Sequence, residues 1–286
     1  MTYERSRLGW AVAVILLVAG CSEIEPPLLP ALPATSPPSY TAGRIVWADL
    51  LTSDIEAAEQ FYGPLFAWTF EKTKADDYRL VAADGGSIAG FVENDQDGEG
   101  EAIWLPYLSV PDVDRSSREA ASALGRILMK PKNAPDRGRV SVVTDGEGAV
   151  IVLLQSFNGD PPPRPTPLGG ILWWDLWTHD PSAAARFYGK VAGLKTETLE
   201  RKDGSTRQVL GRGTTVTGGL VKLPWDDAHS NWLPYVRVDD VAATTRRAVQ
   251  LGGTVIARTE DTAVLQDPEG AALGIQEIPS ANGGGS

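Results

Sequence analysis

Residues 44–51 form an apolar run that predicts a strand, and Asp54 follows as a candidate helix N-cap. Small and apolar residues then recur at helical spacing through Ala57, Ala58, Phe61, Tyr62 and Leu65. Strand-like runs follow at 78–83 and 87–92. A second strand-then-helix unit begins at Leu105, with a helix expected over 113–129, and two more strands close the series. The same order returns later in the chain. Asp180 caps a helix whose first position is Pro181, where the missing N–H costs nothing. Strands are expected at 206–210 and 214–222, a further strand at Leu233, and a helix over 240–251 ended by Gly252-Gly253.

The recurrence extends to residue identities. Ile45-Val46-Trp47-Ala48-Asp49-Leu50 with Phe61-Tyr62 matches Ile171-Leu172-Trp173-Trp174-Asp175-Leu176 with Phe187-Tyr188. Trp104-Leu105-Pro106-Tyr107 returns as Trp232-Leu233-Pro234-Tyr235, and Asp145-Gly146-Glu147-Gly148-Ala149 as Asp267-Pro268-Glu269-Gly270-Ala271. Three matches in the same order mean a duplicated domain. The Pro-rich stretch from Asp160 to Pro167 separates the copies. The expected division is a domain over 43–157, a linker over 158–168, a second domain over 169–279 and a tail over 280–286.

The first 42 residues follow a different pattern. Arg5 and Arg7 precede an apolar run from Gly9 to Ala19, and Leu17-Val18-Ala19-Gly20-Cys21 ends it. A membrane-spanning helix needs about 20 apolar residues, so this run is too short to remain as one. The stretch resembles the lipobox of a bacterial lipoprotein. That resemblance implies a signal peptide over 1–20, cleavage before Cys21, and acylation of its sulfur with palmitate-type chains. The protein would then be anchored by lipid to a membrane of the cell envelope, on the extracytoplasmic side. Ser22 is similar to an outer-membrane sorting signal if the cell is Gram-negative. Six prolines between residues 26 and 38 make 21–42 an extended, semi-rigid tether.

Composition narrows the chemistry. Cys21 is the single cysteine, so its acylation would leave no thiol for a disulfide, a thiolate metal site or nucleophilic catalysis. The net charge of −11 argues against nucleic acid as a partner. Hydrophobic residues at 42% suffice for packed cores. Oligomeric state is not encoded in any of these features.

The order of elements resembles the vicinal oxygen chelate superfamily, which includes glyoxalase I, extradiol dioxygenases and bleomycin-resistance proteins. The resemblance rests on the Asp…Ala…Phe-Tyr helix and the Asp-Pro-Glu-Gly turn, and covers about 44–278. It implies an α+β fold of two tandem glyoxalase-like domains, each a pair of βαβββ units. It also implies a cup in each domain, where such enzymes hold a divalent metal with His, Gln or Glu. The positions matching those ligands are Trp47, Leu105 and Val152 in the first copy and Trp173, Leu233 and Gly274 in the second. None can bind a metal. A shift of register would bring in Asp49, Asp175, Gln155 or Gln276. The two histidines, His179 and His229, fall in loop-like surroundings.

Alternation along the strands places Trp47, Asp49, Leu51, Tyr107, Ser109, Val152 and Leu154 on the first cup face. Trp173, Asp175, Trp177, Tyr235, Arg237, Gly274 and Gln276 line the second. Aromatic walls with a few polar groups suit a small-molecule site. The candidate ligand-binding residues are therefore Trp173, Asp175, Trp177, Tyr235, Arg237 and Gln276, with Trp47, Asp49 and Tyr107 in the first copy. The tryptophans can equally be core, and the aspartates can equally bond to backbone or a cation, Arg237 being the expected partner of Asp175. Trp104 and Trp232, off the cup register, are expected at the domain interface.

The resulting expectation is a tethered protein that binds a small organic molecule, with no cofactor and no catalytic residue. One alternative is a metal-dependent lyase or dioxygenase of the superfamily. Another is a scaffold whose cups are filled and whose surface binds a protein.

Overall fold

A computed structural model describes residues 29–33, 36–93, 101–200, 204 and 206–278. Cys21, the lipobox-like stretch and the 280–286 tail lie outside them. The first half comprises β1 (Ile45–Thr52), α1 (Ile55–Phe66), β2 (Thr69–Lys72), β3 (Tyr78–Ala83) and β4 (Gly86–Glu93). It continues with β5 (Ile103–Ser109), α2 (Val113–Ser122), β6 (Arg126–Ala134), β7 (Gly138–Thr144) and β8 (Val150–Ser156). The second half repeats them as β9 (Ile171–Thr178), α3 (Pro181–Ala192), β10 (Lys195–Glu200), β11 (Thr206–Arg212) and β12 (Thr215–Lys222). There follow β13 (Asn231–Val238), α4 (Val241–Gln250), β14 (Thr254–Arg258), β15 (Thr262–Gln266) and β16 (Ala272–Glu277). Each half folds into one eight-stranded sheet, ordered β2-β3-β4-β1-β5-β8-β7-β6 and β10-β11-β12-β9-β13-β16-β15-β14. The fold is α+β, two tandem pairs of βαβββ units.

Helices α1 and α3 start where Asp54 and Asp180 place them. The carboxylates of Asp54, Asp112, Asp180 and Asp240 each accept from a first-turn backbone N–H. Two features differ from the expectation. The helix expected over 113–129 stops at Ser122, because Leu124 takes a left-handed backbone at φ 71°. Gly125 follows against the Thr144 carbonyl and the Phe187 ring, where no Cβ fits. Chain from Arg126 onward then becomes β6. Strands β2 and β10, which a βαβββ unit requires, were given no place in the sequence; they are edge strands with largely exposed residues, so no apolar alternation marks them.

Part of the Pro-rich segment packs against the body of the protein. Leu29 and Leu32 are buried in the apolar cluster of the first cup, with Val46, Trp47, Tyr78, Tyr107 and Val152. Further on, Asp160 N–H donates to the Ser39 carbonyl (2.7 Å) and Thr41 N–H to the Asp160 carboxylate (2.6 Å). This stretch lies along the first domain instead of leading away from it.

The halves meet through their helices, and one apolar cluster runs through both. Trp104 and Trp232 sit in it, fully buried. Trp104 donates to the Tyr62 hydroxyl (3.1 Å), which donates across the interface to Asp267 (2.9 Å). Trp232 donates to Tyr188 (2.8 Å), which reaches Asp145 at 3.5 Å. The same exchange is made twice, in opposite directions.

Candidate functional site

Strand register brings the cup residues into rows. In the first cup, Asp49 lies between Gly90 on β4 and Leu105 on β5, and Trp47 pairs with Tyr107, which pairs with Val152. In the second, Asp175 lies between Gly219 and Leu233, and Trp173 pairs with Tyr235, which pairs with Gly274. Each sheet therefore gathers its set on one face: Trp47, Asp49 and Tyr107 in the first, and Trp173, Asp175, Trp177 and Tyr235 in the second.

The first cup is closed on itself. Asp49 is wholly buried and accepts from Trp47 Nε1 (2.8 Å), Tyr78 Oη (2.7 Å) and Tyr107 Oη (2.5 Å). Arg137, from the β6–β7 turn, places its Nη1 3.8 Å from Asp49 and its guanidinium 5.2–5.8 Å from the Trp47, Tyr78 and Tyr107 ring centres. Its Nη2 donates to Tyr78 Oη (3.0 Å) and its Nε to the Pro30 carbonyl (2.9 Å). Burial opposes the charge on Arg137, but Tyr78, Asp49 and Tyr107 outweigh it and hold the guanidinium protonated. Burial and the neighbouring Asp49 push both tyrosines well up, so they remain donors. Leu29 and Leu32 cover this cluster.

The second cup is built differently at one place. From the pairings of Gly90 and Gly219, Arg207 on β11 occupies the row position that Tyr78 holds on β3. Arg207 Nη2 bonds and ion-pairs with Asp175, and its guanidinium carbon lies 3.5 Å from the Trp173 ring centre. Both Gly90 and Gly219 are needed here. A Cβ at Gly219 would overlap Asp175 and Arg207, and one at Gly90 would overlap Tyr78 and Asp49. Tyr235 hydrogen-bonds to Asp175; burial, then Asp175, pushes its hydroxyl far up. Trp177 stacks on Trp225 at 6.2 Å. Thr259 replaces Arg137 in the corresponding turn by the β7–β8 and β15–β16 registers. The cation of each cup thus comes from a different element.

Polar satisfaction separates the cups further. Arg207 Nε, Trp173 Nε1 and Asn231 Oδ1 are buried atoms without a hydrogen-bond partner. In the first cup, Trp47 Nε1 and Arg137 Nε, the counterparts in kind, both have acceptors, and Arg137 Nη1 is a buried atom without a hydrogen-bond partner.

Two expectations are corrected by the side chains. Asp175 takes Arg207 as its cation, and Arg237 instead donates to the Thr166 carbonyl (2.7 Å) at the linker. Gly274 does not leave open space, because the Tyr235 ring lies against it and a Cβ would overlap that ring. Gln276 pairs with Arg237 and Thr262 at that same end, two residues beyond the Tyr235 row. Tyr78, Arg137, Arg207 and Asn231 were missed in the sequence. Only alignment of the copies on Gly90 and Gly219 would have shown Tyr78 and Arg207 as equivalent.

A Glyoxalase-like domain family matches residues 173–275. "Putative glyoxylase CFP32" of Mycobacterium tuberculosis is 32% identical over 248 residues, covering 82% of this chain and 95% of that protein. "Anthracycline biosynthesis protein DnrV" of Streptomyces peucetius is 30% identical over 274 residues, covering 86% and 99%. The chain belongs to the glyoxalase-like family of the vicinal oxygen chelate superfamily. Among solved structures it is similar in fold to an Mn(II)-bound glyoxalase from Novosphingobium aromaticivorans, with TM-score 0.56, 13% identity and 83% of each chain covered. It is also similar to 2,2',3-trihydroxybiphenyl 1,2-dioxygenase from Sphingomonas wittichii strain RW1, with TM-score 0.55, 13% identity and coverage of 83% and 91%.

These neighbours overturn the expectation of no cofactor, because a glyoxalase of this architecture carries Mn(II). A divalent metal is the cofactor this class of fold implies. The described side chains do not fit one. Among the described residues no three His, Cys, Asp or Glu converge to hold an ion. The six inherited ligand positions carry Trp, Leu, Val and Gly, and Asp49 and Asp175 are engaged by Tyr and Arg donors. His179 bonds to the Ala228 carbonyl (2.8 Å).

Proposed function

We propose that this glyoxalase-like protein works on a small organic molecule in its second cup. The observation that carries the reading is a difference of degree between the cups: the first, packed by the chain's own Leu29–Leu32 stretch, leaves Arg137 Nη1 without a hydrogen-bond partner, and the second leaves Arg207 Nε, Trp173 Nε1 and Asn231 Oδ1 without one among aromatic walls. A second reading, a metal-dependent lyase or dioxygenase, is the one the comparisons support better, through the Mn(II)-bound glyoxalase and the dioxygenases among the solved neighbours. It requires ligands that the described residues do not bring together.

One experiment separates them. Protein reconstituted with Mn(II) or Fe(II) is dialysed, assayed for metal, and challenged with catechols, hemithioacetals and a panel of aromatic metabolites. Retention of about one equivalent of metal together with metal-dependent turnover establishes the enzyme. A saturable change in Trp fluorescence without turnover supports a binding protein. No response to any compound removes the small-molecule reading.

Attachment to a membrane through acylated Cys21 is a further part of the proposal, supported by the lipobox-like stretch. Cys21→Ser is expected to move the protein from the membrane fraction to the soluble one and to abolish palmitate labelling.

A further inference from the structure

A cavity outside both cups lies where α3 meets the end of α2 and the turn between β7 and β8. It measures about 350 Å³, and Ala123, Leu124, Ala183, Ala184 and Phe187 give it an apolar lining. Leu124 stands at its edge with 87% of the residue exposed, in a left-handed backbone at φ 71°. Both features are unfavourable for leucine, since that backbone crowds its Cβ and water meets its apolar side chain.

The second half shows that the fold requires neither. Counted from the caps Asp112 and Asp240, Leu124 corresponds to Gly252, and in the repeated turn Gly146 corresponds to Pro268. Gly252 takes the left-handed backbone at φ 92° without a side chain, and Pro268 Cγ lies 3.5 Å from where its Cβ would stand. There the proline packs over the glycine. In the first half the pair is reversed: the turn residue has no side chain, and the apolar side chain stands beside the space left open. The rim differs as well. Counted from the caps Asp180 and Asp54, its Arg186 and Lys190 correspond to Gln60 and Pro64.

An apolar knob beside an apolar hollow suits a two-fold interface, because each copy presents both halves of the contact. Charge favours a second copy as the partner. The chain carries a net −11, so copies repel one another across most of their surface. At this cavity the signs alternate: Lys190 lies 3.8 Å from Glu119 and Arg186 4.0 Å from Asp180, with all four side chains at least a third exposed. A two-fold axis sets such a patch against its own copy, so cations of one protomer meet anions of the other. We propose that the protein forms an isologous dimer through this surface, with Leu124 of each protomer seated in the cavity of the other. The dimer is independent of what the cups bind.

Sedimentation velocity of the purified protein over about 1–200 µM tests it. The sedimentation coefficient is expected to rise with concentration from that of a monomer to that of a dimer. Leu124→Gly introduces the residue found at the matching position, removing the knob and keeping the backbone. It is expected to weaken the dimer at least about tenfold without lowering the melting temperature. Leu124→Gly with Gly146→Pro copies the pair of the second half and is expected to stay monomeric throughout. Amide hydrogen exchange in the wild-type protein is a second measurement that depends on no variant folding. Exchange at 123–127 and 183–190 is expected to slow as concentration rises. A monomer at every concentration, an unweakened dimer in Leu124→Gly, or slowing confined to other segments would overturn the inference.

Discussion

At the scale of single residues, the two cups show how one scaffold position changes its chemistry. Tyr78 and Arg207 occupy the same row, yet the first donates a neutral hydroxyl to its aspartate and the second a full charge. In the first cup the cation has moved to Arg137, fully buried, with its Nε bonded to Pro30, its Nη2 to Tyr78 and its Nη1 only ion-paired to Asp49. Asp49→Leu would leave that guanidinium without a counter-ion. It is expected to cost about 3–5 kcal/mol in urea unfolding, the range for breaking a buried pair. A loss under about 1 kcal/mol would show that the rings and the Pro30 carbonyl alone support Arg137. The strand positions of Asp49 and Tyr107 were legible in the sequence because period-two alternation is local. The partners were not, because Arg137 and Pro30 come from a turn and a segment far away along the chain.

The segment around Leu29 and Leu32 is the element that most changes the sequence-based picture. Its prolines predict an extended chain, and the chain does avoid helix and sheet here, but two leucines give it an apolar face that the cup buries. Burying a leucine contributes about 1.5–3 kcal/mol. Replacing Leu29 and Leu32 with Ser together is therefore expected to lower the urea midpoint. It should also expose Trp47, read as a red shift of Trp emission and new binding of an apolar dye. Unchanged emission would mean that Asp49, Tyr78, Tyr107 and Arg137 keep the cup closed without the segment. Edge strands β2 and β10 escaped notice for the opposite reason: their residues face solvent, so burial leaves no imprint on their sequence. Caps were the most legible feature, since a capping carboxylate acts within its own first turn.

Across the whole molecule, the duplication becomes a reciprocal interface. Glu147 of the first half accepts from Ser230 Oγ (2.6 Å), Thr178 Oγ1 and the backbone N–H groups of His179 (2.8 Å) and Asp180 (2.9 Å), at the start of α3. Glu269 of the second half accepts from Thr52 and Ser53 before α1. Burial would raise the Glu147 carboxyl, but the Ser230 and Thr178 hydroxyls and those N–H groups outweigh it and hold it down. Beside them, burial pushes Asp145 and Asp267 up to about 6, only partly offset by backbone N–H groups. A carboxylate raised on folding lends stability that is fully present below its unfolded value near 4 and lost as pH rises through about 6. Asp145→Asn with Asp267→Asn is therefore expected to flatten the decline of melting temperature between about pH 4 and pH 6. An unaltered slope would place the titration elsewhere.

The repeat, the caps, the α+β order and the cup faces follow from the sequence alone, because each depends on neighbours a few residues away or on likeness between two stretches. Which cup is filled, which arginine meets which aspartate, and which polar atoms remain unpartnered were decided only by the tertiary structure. Those outcomes depend on contacts such as Arg137 with Pro30 and Arg207 with Asp175, made between elements that no local pattern brings together.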